Sequence, residues 1–194
     1  MQNMDSRVHS ADPKALLGEI EHLRDEVARL QSRVEHLDRL SCMDALVPAS
    51  NRRGLIKQLS MVLARHERHG IPAALVFIDV DGLKAINDRH GHSAGDAALI
   101  HLTELMSSSV RKTDLVARIG GDEFVIMLDH STLEVAIETA RRLAEQVADS
   151  DLIVNGVALE LSVAIGLAMI ERGDTPDSVL DRADQAMYRQ KNAA

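Results

Sequence analysis

The chain has 194 residues, which is enough for one domain of ordinary size and an additional segment. Apolar residues make up 45% of the sequence and aromatic residues only 2%, so the chain can bury a core that must be mainly aliphatic. The net charge of −8 at pH 7 argues against a nucleic-acid polymer as the main partner, because binding a phosphate backbone requires a basic surface.

The sequence carries no visible signal for export or membrane insertion. Its single cysteine, Cys42, cannot form an intrachain disulfide, which is typical of proteins in a reducing compartment. The start, MQNMDSRVHS, shows neither the basic nor the apolar region of a secretory signal, and the apolar stretch Ile71–Val80 is too short to span a bilayer. We therefore expect a soluble, cytoplasmic protein that does not insert into membranes.

A regular apolar repeat follows a polar segment at residues 1–13, which we expect to be loose. In heptad notation, the a positions are Ile20, Val27 and Val34, and the d positions are Leu16, Leu23, Leu30 and Leu37. Branched residues at a with leucine at d favour a parallel dimer, and the flanking charges are placed to pair between chains, Glu19 with Arg24 and Arg33 with Asp38. The repeat predicts a dimeric coiled coil at residues 14–43, with a parallel homodimer formed through residues 16–40. An amphipathic helix packed on its own domain is the alternative.

The remaining residues, 44–194, have the pattern of one domain. The predicted elements in chain order are a helix Asn51–Gly70, a strand Ala73–Val80, a helix Ser93–Val110, strands Asp114–Gly120 and Asp122–Leu128, a helix Ser131–Ser150, a hairpin turn at Asn155-Gly156, a strand Leu159–Ile170 and a helix Asp174–Lys191. From Ala73 to Ile170 this order is βαββαβ, the α+β arrangement of ferredoxin-like folds. We expect an antiparallel central sheet with helices on one face.

This topology brings acids that are distant in the sequence to one edge of the sheet. The right-handed crossover makes the first two core strands parallel, so the Gly120-Gly121 turn lies at the edge where the first strand ends. The third strand then returns beside the first, which places Asp79 near Asp122 and Glu123. Clustered carboxylates need a cation or raised pKa values, and hard oxygen ligands suit Mg²⁺ or Mn²⁺. The pattern predicts a metal site for displacement at phosphorus, and a solvated turn with ordinary exposed acids is the alternative.

The residues around this turn resemble those of the GGDEF family, the diguanylate cyclases. Gly120-Gly121-Asp122-Glu123-Phe124 reproduces the motif that names the family. The upstream segment Phe77–Asp96 and the downstream segments SVAIG and ADQAMYRQK are similar to further motifs of the family, so the resemblance covers about Asp44 to Lys191. It implies condensation of two GTP into cyclic di-GMP with release of pyrophosphate, and Mg²⁺ or Mn²⁺ as the cofactor.

The resemblance also implies roles for individual residues. The implied metal ligands are Asp79, the Val80 carbonyl, Asp122 and Glu123, and the implied aids to catalysis are Asp122, Glu123 and Lys84. Either Asp122 or Glu123 assists deprotonation of the ribose 3′-hydroxyl. The implied substrate contacts are Asn87 and Asp96 for guanine, Leu46 and Leu99 as apolar walls, Lys84 and Lys191 for the triphosphate, and the backbone of Gly82, Leu83, Gly120 and Gly121 near the phosphates. His92 either contacts the nucleotide or orients the loop by hydrogen bonds.

A second implied site lies just before the name motif. The sequence Arg111-Lys112-Thr113-Asp114 matches the family's R-x-x-D inhibitory product site in spacing and identity. Arginine can bind phosphate or the guanine edge bidentately, and the aspartate can accept hydrogen bonds from the base. Arg142 falls where a neighbouring domain often adds another arginine. For an R-x-x-D sequence alone, a solvated helix end is the alternative.

Two departures from the family pattern bear on activity. The opening pattern D-x-L-T-G-L-x-N-R-R reads DALVPASNRR here, so Val47-Pro48-Ala49 replaces Thr-Gly-Leu, and a basic residue common after the final lysine has no counterpart. The leading prediction is a dimeric, product-inhibited cyclase. The alternatives are a non-catalytic module that binds cyclic di-GMP or GTP, and an interaction protein in which the coiled coil alone has a function.

Overall fold

The computed structural model describes residues 13–192, apart from the side chains of residues 13–16, 35 and 39. The chain divides into two units, Met1–Ser41 and Cys42–Ala194. Residues 1–12 of the segment predicted to be loose, and the side chain of Leu16 at the first d position, lie outside the described residues.

In the described part of the first unit, the chain forms one helix, α1 (Pro13–Leu40). The described heptad residues of this helix, from Ile20 to Leu37, are each between 45% and 65% exposed. Glu26 and Arg29 pair along its surface at 3.1 Å, one helical turn apart. An apolar seam left this exposed is typical of a helix that associates with a second helix.

The second unit contains a five-stranded sheet, a two-stranded hairpin and five helices within its described residues. In chain order they are β1 (Ser50–Asn51), α2 (Arg52–His69), β2 (Ala74–Val80), α3 (Leu83–His90), α4 (His92–Ser109), β3 (Leu115–Arg118), β4 (Glu123–Leu128), α5 (Leu133–Ala148), β5 (Leu152–Val154), β6 (Val157–Leu159), β7 (Val163–Met169) and α6 (Pro176–Lys191).

Local sequence signals explain where several of these elements begin and end. The Asn51 side chain caps α2 by accepting the Gly54 amide at 3.0 Å, and Gly70 ends that helix in the left-handed conformation. Thr175 starts α6 with a capping box. The predicted turn at Asn155-Gly156 joins β5 to β6, with positive φ angles of 53° and 79°.

The strand order of the main sheet is β1-β3-β4-β2-β7. β2 is antiparallel to both β4 and β7, and β3 is antiparallel to β4, so β2 and β3 run in the same direction as the crossover rule predicted. The predicted βαββαβ core is therefore confirmed. Two details differ from the sequence analysis, since α3 forms a separate short helix and the strand predicted at Leu159–Ile170 divides between β6 and β7.

Helices cover both faces of the sheet, so the expectation of helices on one face was wrong. Alternate residues of β2 belong to different clusters, Val76 and Ile78 to one and Leu75 and Phe77 to the other. The first cluster is completed by residues of α4 and α5, which belong to the βαββαβ core. The second is completed by α2 and α6, which flank that core in the sequence. A central strand that is buried along most of its length, such as β2, needs an apolar layer on each side.

None of the helices between residues 13 and 192 combines the length and the apolar character needed to cross a membrane.

Candidate active site

The ends of β2 and β4 bring three acidic residues together. Asp79 lies opposite Glu123 in the antiparallel pairing of the two strands. The Val80 amide donates a hydrogen bond of 3.0 Å to the carbonyl of Asp122. Because directly opposite residues have Cβ atoms only about 5 Å apart, these acids share one edge of the sheet.

The surroundings of Glu123 favour its neutral form. Burial of the carboxyl group is the largest cause that raises its pKa. The nearby negative charges of Asp122, Asp184 and Asp79 raise the pKa further, and the charge of Arg52 opposes them. A carboxyl group with a raised pKa is a better proton acceptor than an ordinary glutamate.

Lys191, at the end of α6, adds a positive charge to this edge. Its Nζ lies 2.5 Å from Oδ1 of Asp79 and 3.7 Å from Oδ1 of Asp81. The hydrogen bond to Asp79 is the main cause that raises the pKa of Lys191, so the ammonium group remains charged. Asp81 is also held by Ser162, whose hydroxyl donates to Oδ2 at 2.9 Å.

The oxygen atoms at this edge are suitable donors for Mg²⁺ or Mn²⁺, which prefer hard ligands. The candidate donors are the carboxylates of Asp79, Asp122 and Glu123 and the carbonyl of Val80. Within residues 13–192, no three His, Cys, Asp or Glu side chains are grouped closely enough to hold an ion as they lie. Lys191 is bonded to Asp79, and the Glu123 carboxylate lies against Gly120. The chemistry of this donor set, carboxylates and one carbonyl oxygen, is the kind that a hard divalent cation binds.

The glycine turn is shaped around the Glu123 side chain. A Cβ atom at Gly120 would lie 2.2 Å from Oε2 of Glu123, whereas Gly121 has open space at the same point. The amides of Ile119 and Gly120 both approach the Glu123 carbonyl, at 2.9 and 3.4 Å, and close the turn. A side chain at position 120 would therefore force the Glu123 carboxylate to move.

Arg118 connects this turn to the opening segment of the domain. Its Nη2 donates to the Gly121 carbonyl at 2.7 Å, and its Nη1 donates to Oδ1 of Asp44 at 3.4 Å. The same Asp44 oxygen accepts the amides of Leu46 and Val47, at 2.9 and 3.0 Å. Burial opposes the ionisation of Asp44, but these bonds and the Arg118 charge outweigh it and lower the pKa of the carboxyl group. The segment that departs from the family pattern is thus ordered by Asp44.

Asn87 and Asp96, predicted to bind guanine, lie on the consecutive helices α3 and α4. Asn87 is half-buried and Asp96 is exposed. A Cβ atom at Gly95 would lie 2.0 Å from Oδ1 of Asn87 and 2.9 Å from its Cγ. Gly95 therefore provides the space that the Asn87 side chain occupies, next to Asp96 in the sequence.

The predicted apolar walls, Leu46 and Leu99, contact one core cluster. Leu99 is buried within that cluster, and Leu46 is partly buried against it. Leu83 at the start of α3 belongs to the same cluster. The apolar side of the candidate nucleotide site is thus continuous with the core beneath α4.

The loop between β2 and α3 presents a helix start to solvent. Gly82 precedes α3 in the left-handed conformation, with φ 68°. Lys84 is exposed on the first turn of α3, and His92 is exposed on the first turn of α4. The first amides of a helix have no partner within it, so an anion can bind there.

A separate cavity of about 330 Å³ contains the residues predicted for the product site, since Arg111, Asp114 and Arg142 all line it. Oδ2 of Asp114 accepts the Arg111 amide at 2.9 Å, and Oδ1 accepts the Asp129 amide at 3.1 Å. Arg142 donates to the Ser109 carbonyl at 2.7 Å. The structure therefore brings the three predicted residues together and orients the aspartate through the backbone.

Three further residues near the candidate site had no role in the sequence analysis. Gly95 makes room for Asn87, and Arg118 holds the glycine turn. Gly95 and Arg118 each lie within two positions of a residue predicted for the site. Nothing else in the sequence around them indicates a role. Asp184 contributes charge near Glu123, and only the packing of α6 reveals it.

Comparison with known proteins points to one family. Residues 41–194 match the family described as diguanylate cyclase, GGDEF domain. The chain is 31% identical over 180 residues to the diguanylate cyclase DgcP and 36% identical over 193 residues to the diguanylate cyclase TpbB, both of Pseudomonas aeruginosa. These alignments cover 93% and 94% of this chain but only 27% and 42% of the lengths of the two relatives.

A solved structure has a similar fold over nearly the same length. The coiled coil and GGDEF domain of DgcB from Caulobacter crescentus, in complex with c-di-GMP, matches with a TM-score of 0.81 and 25% identity. The match covers 93% of this chain and 96% of that chain. The name motif, the sheet order and these matches lead to one conclusion. The chain belongs to the GGDEF domain family.

Proposed function

We propose that this chain is a metal-dependent diguanylate cyclase that joins two GTP molecules into cyclic di-GMP and releases two pyrophosphates. The observation that carries the proposal is the position of Asp79 opposite Glu123 across β2 and β4, with Asp122 beside them. Relatives named diguanylate cyclases align with most of this chain and support the same activity.

Each half of the proposed reaction is an in-line displacement at phosphorus. The 3′-oxygen of one GTP attacks the α-phosphorus of the other, a new O–P bond forms, and the bond to the β-phosphate breaks to release pyrophosphate. The hydroxyl proton passes to Asp122 or Glu123, which are adjacent at this edge of the sheet. A divalent cation held by these carboxylates, Asp79 and the Val80 carbonyl would supply charge neutralisation of the phosphates.

Nucleotide recognition in this proposal uses α3 and α4. Asp96 accepts hydrogen bonds from the guanine edge. Asn87, whose side chain packs against Gly95, contacts the same base. Leu46 and Leu99 form the apolar walls. Lys84, Lys191 and the backbone amides of Gly82 and Leu83 bind the phosphates.

The proposed reaction needs two domains face to face, because each supplies one GTP. The exposed apolar seam of α1 supports a parallel homodimer that raises the effective concentration of one domain near the other to about mM. Removing residues 1–40 should therefore make the specific activity strongly dependent on protein concentration. Unchanged specific activity at nanomolar protein would contradict the tethering role.

The cavity lined by Arg111, Asp114 and Arg142 supports a binding site for cyclic di-GMP that limits the activity. Two arginines suit the two phosphates and the guanine edges of this product. We expect Arg111→Ala to relieve inhibition by added cyclic di-GMP and to leave the initial rate unchanged. The measurement is the initial rate against product concentration.

The test of the proposed activity is incubation of the purified chain with GTP and Mg²⁺, with detection of cyclic di-GMP by mass. Asp122→Ala is the matched variant, and we expect product from the unsubstituted chain alone. Circular dichroism of both proteins excludes unfolding as the cause of a difference. Absence of product from the unsubstituted chain and from Arg111→Ala would reject the cyclase.

The second candidate function is a non-catalytic receptor for cyclic di-GMP. It is favoured by the cavity around Asp114, whose carboxylate is oriented by backbone amides of the R-x-x-D segment and of Asp129, away from the three acids of the sheet edge. Calorimetric binding of cyclic di-GMP without any turnover of GTP would favour the receptor. Turnover of GTP would favour the cyclase.

A further inference from the structure

Lys191 is in direct contact with a candidate metal ligand. Its Nζ lies 2.5 Å from Oδ1 of Asp79 and 3.7 Å from Oδ1 of Asp81. The Asp79 side chain is only 15% exposed, so a cation that approaches it meets this ammonium group. The contact joins the end of the last helix to the end of the central strand.

The end of α6 holds this lysine in place. The helix packs closely on β7 at Gly166, where a Cβ atom would lie 2.1 Å from the Met187 amide nitrogen. The Gln190 side chain accepts a hydrogen bond of 3.2 Å from the Ile165 amide, which ties the residue before Lys191 to the same strand. The packing and the hydrogen bond fix the end of α6, and this places the ammonium group of Lys191 beside Asp79.

We infer that Lys191 is an internal counter-cation, which occupies Asp79 until a divalent cation and the phosphates of GTP arrive together. This inference rests on the proposed cyclase function. Two cations at contact distance from one carboxylate oxygen repel each other, so the ammonium group must leave Oδ1 of Asp79 before an ion binds there. The phosphates of GTP offer the displaced ammonium group a new partner.

The consequence is coupling between two binding events. Without nucleotide, Lys191 competes with the metal ion, and the ion binds weakly. With nucleotide, Lys191 moves to the phosphates and the carboxylate of Asp79 becomes available. Because coupling between two ligands is reciprocal, the metal ion should strengthen GTP binding by the same factor.

The test measures the affinity of the full chain for Mn²⁺ alone, through the electron paramagnetic resonance signal of the free ion. Lys191→Met keeps the length and apolar stem of the side chain and removes its charge. We expect this variant to bind Mn²⁺ roughly three- to tenfold more tightly than the unsubstituted chain. Lys191→Arg keeps the charge and should bind Mn²⁺ as weakly as the unsubstituted chain. Arg189→Met removes a neighbouring exposed cation and should change the affinity by less than about twofold.

A second measurement adds a GTP analogue with a methylene bridge between the α- and β-phosphates, which cannot be cyclised. We expect the analogue to raise the Mn²⁺ affinity of the unsubstituted chain by a larger factor than that of Lys191→Met. Equal Mn²⁺ affinities for the two proteins without nucleotide would overturn the inference. Weaker Mn²⁺ binding by Lys191→Met would also overturn it, because the lysine would then assist the ion.

The outcome is independent of the test for cyclase activity. If the unsubstituted chain makes cyclic di-GMP while Lys191→Met binds Mn²⁺ no more tightly, the counter-cation role fails and the cyclase stands. If Lys191→Met binds Mn²⁺ more tightly while neither the unsubstituted chain nor Arg111→Ala forms product, the competition at Asp79 stands and the cyclase fails. Thermal unfolding of each variant shows whether it is folded, so that a change in Mn²⁺ affinity can be attributed to the site and not to loss of the fold.

Discussion

Gly95 and Asn87 fit together as a cavity and its occupant. A Cβ atom at position 95 would lie 2.0 Å from Oδ1 and 2.9 Å from Cγ of Asn87, closer than real Cβ contacts allow. The glycine of one helix thus sets the position of the amide on the helix before it. Glycine in a helix interior lowers stability by about 0.5–1 kcal/mol relative to alanine. Gly95 therefore makes α4 less stable while it leaves room for the Asn87 side chain.

Gly95→Ala should weaken GTP binding by about tenfold, because it displaces the amide that is proposed to bind guanine through hydrogen bonds of about 1 kcal/mol each. The KM for GTP measures this change. In a double-substitution cycle, Gly95→Ala should add little to Asn87→Ala, since both act through the same side chain.

Gly18→Ala is the matched control for that substitution. Gly18 lies in α1, and among the described residues only the backbone of the helix itself lies near the point where a Cβ atom would stand, so an alanine there should leave the KM unchanged. A KM for Gly95→Ala equal to that of the unsubstituted chain would show that Gly95 does not position Asn87.

Val27→Asp should convert the proposed dimer into a monomer. Val27 occupies an a position and is 51% exposed, and a charge in the seam must be desolvated when two helices pair. Light scattering after size-exclusion chromatography measures the mass. Ala28→Asp places the same charge one residue away, on the exposed flank, and should remain dimeric. If both variants remain dimers, the dimer interface does not lie along the heptad residues of α1.

Asp174→Asn should destabilise the fold at neutral pH by about 2 kcal/mol. Arg182 donates to both carboxylate oxygens of Asp174, at 2.5 and 2.8 Å, and this is the main cause that lowers the pKa of Asp174 from 3.8 to about 2. Since the folded pKa lies below the unfolded value, the stabilisation is complete above about pH 4 and is lost as the pH falls towards 2. Urea unfolding between these pH values measures the difference.

The difference between the Asp174→Asn variant and the unsubstituted chain should therefore shrink as the pH falls. Asp151→Asn removes an exposed carboxylate and should leave the free energy of unfolding unchanged at neutral pH. A difference for Asp174→Asn that does not change with pH would assign its effect to packing rather than to the ion pair.

Gly166→Ala should lower the free energy of unfolding by about 1–3 kcal/mol, as overpacking of a core does. The added Cβ atom would lie 2.1 Å from both the Ala183 carbonyl oxygen and the Met187 amide nitrogen, so α6 must move away from β7. Urea unfolding measures the loss. Gly121→Ala adds the same atom into open space and should preserve stability, and equal stability of the two variants would contradict the close packing.

The sequence by itself determined the βαββαβ order of the core and which core strands become neighbours. Apolar periodicity is a local property, and the right-handed crossover rule limits the topologies that a βαββαβ order can adopt. Those two facts were sufficient to predict that Asp79, Asp122 and Glu123 lie at one edge. The clustered acids indicated a metal site there, and the family motif added GTP as the substrate and cyclic di-GMP as the product.

Only the tertiary structure decided how the second layer of helices covers the sheet and which side chains meet there. The ion pair of Lys191 with Asp79 joins residues 112 positions apart in the sequence, and no local pattern encodes it. Gly95 likewise has an ordinary place in an amphipathic helix until Asn87 is seen against it. Such contacts depend on the distances between packed helices and strands, to within a few tenths of an ångström. The periodicity of apolar residues does not predict those distances.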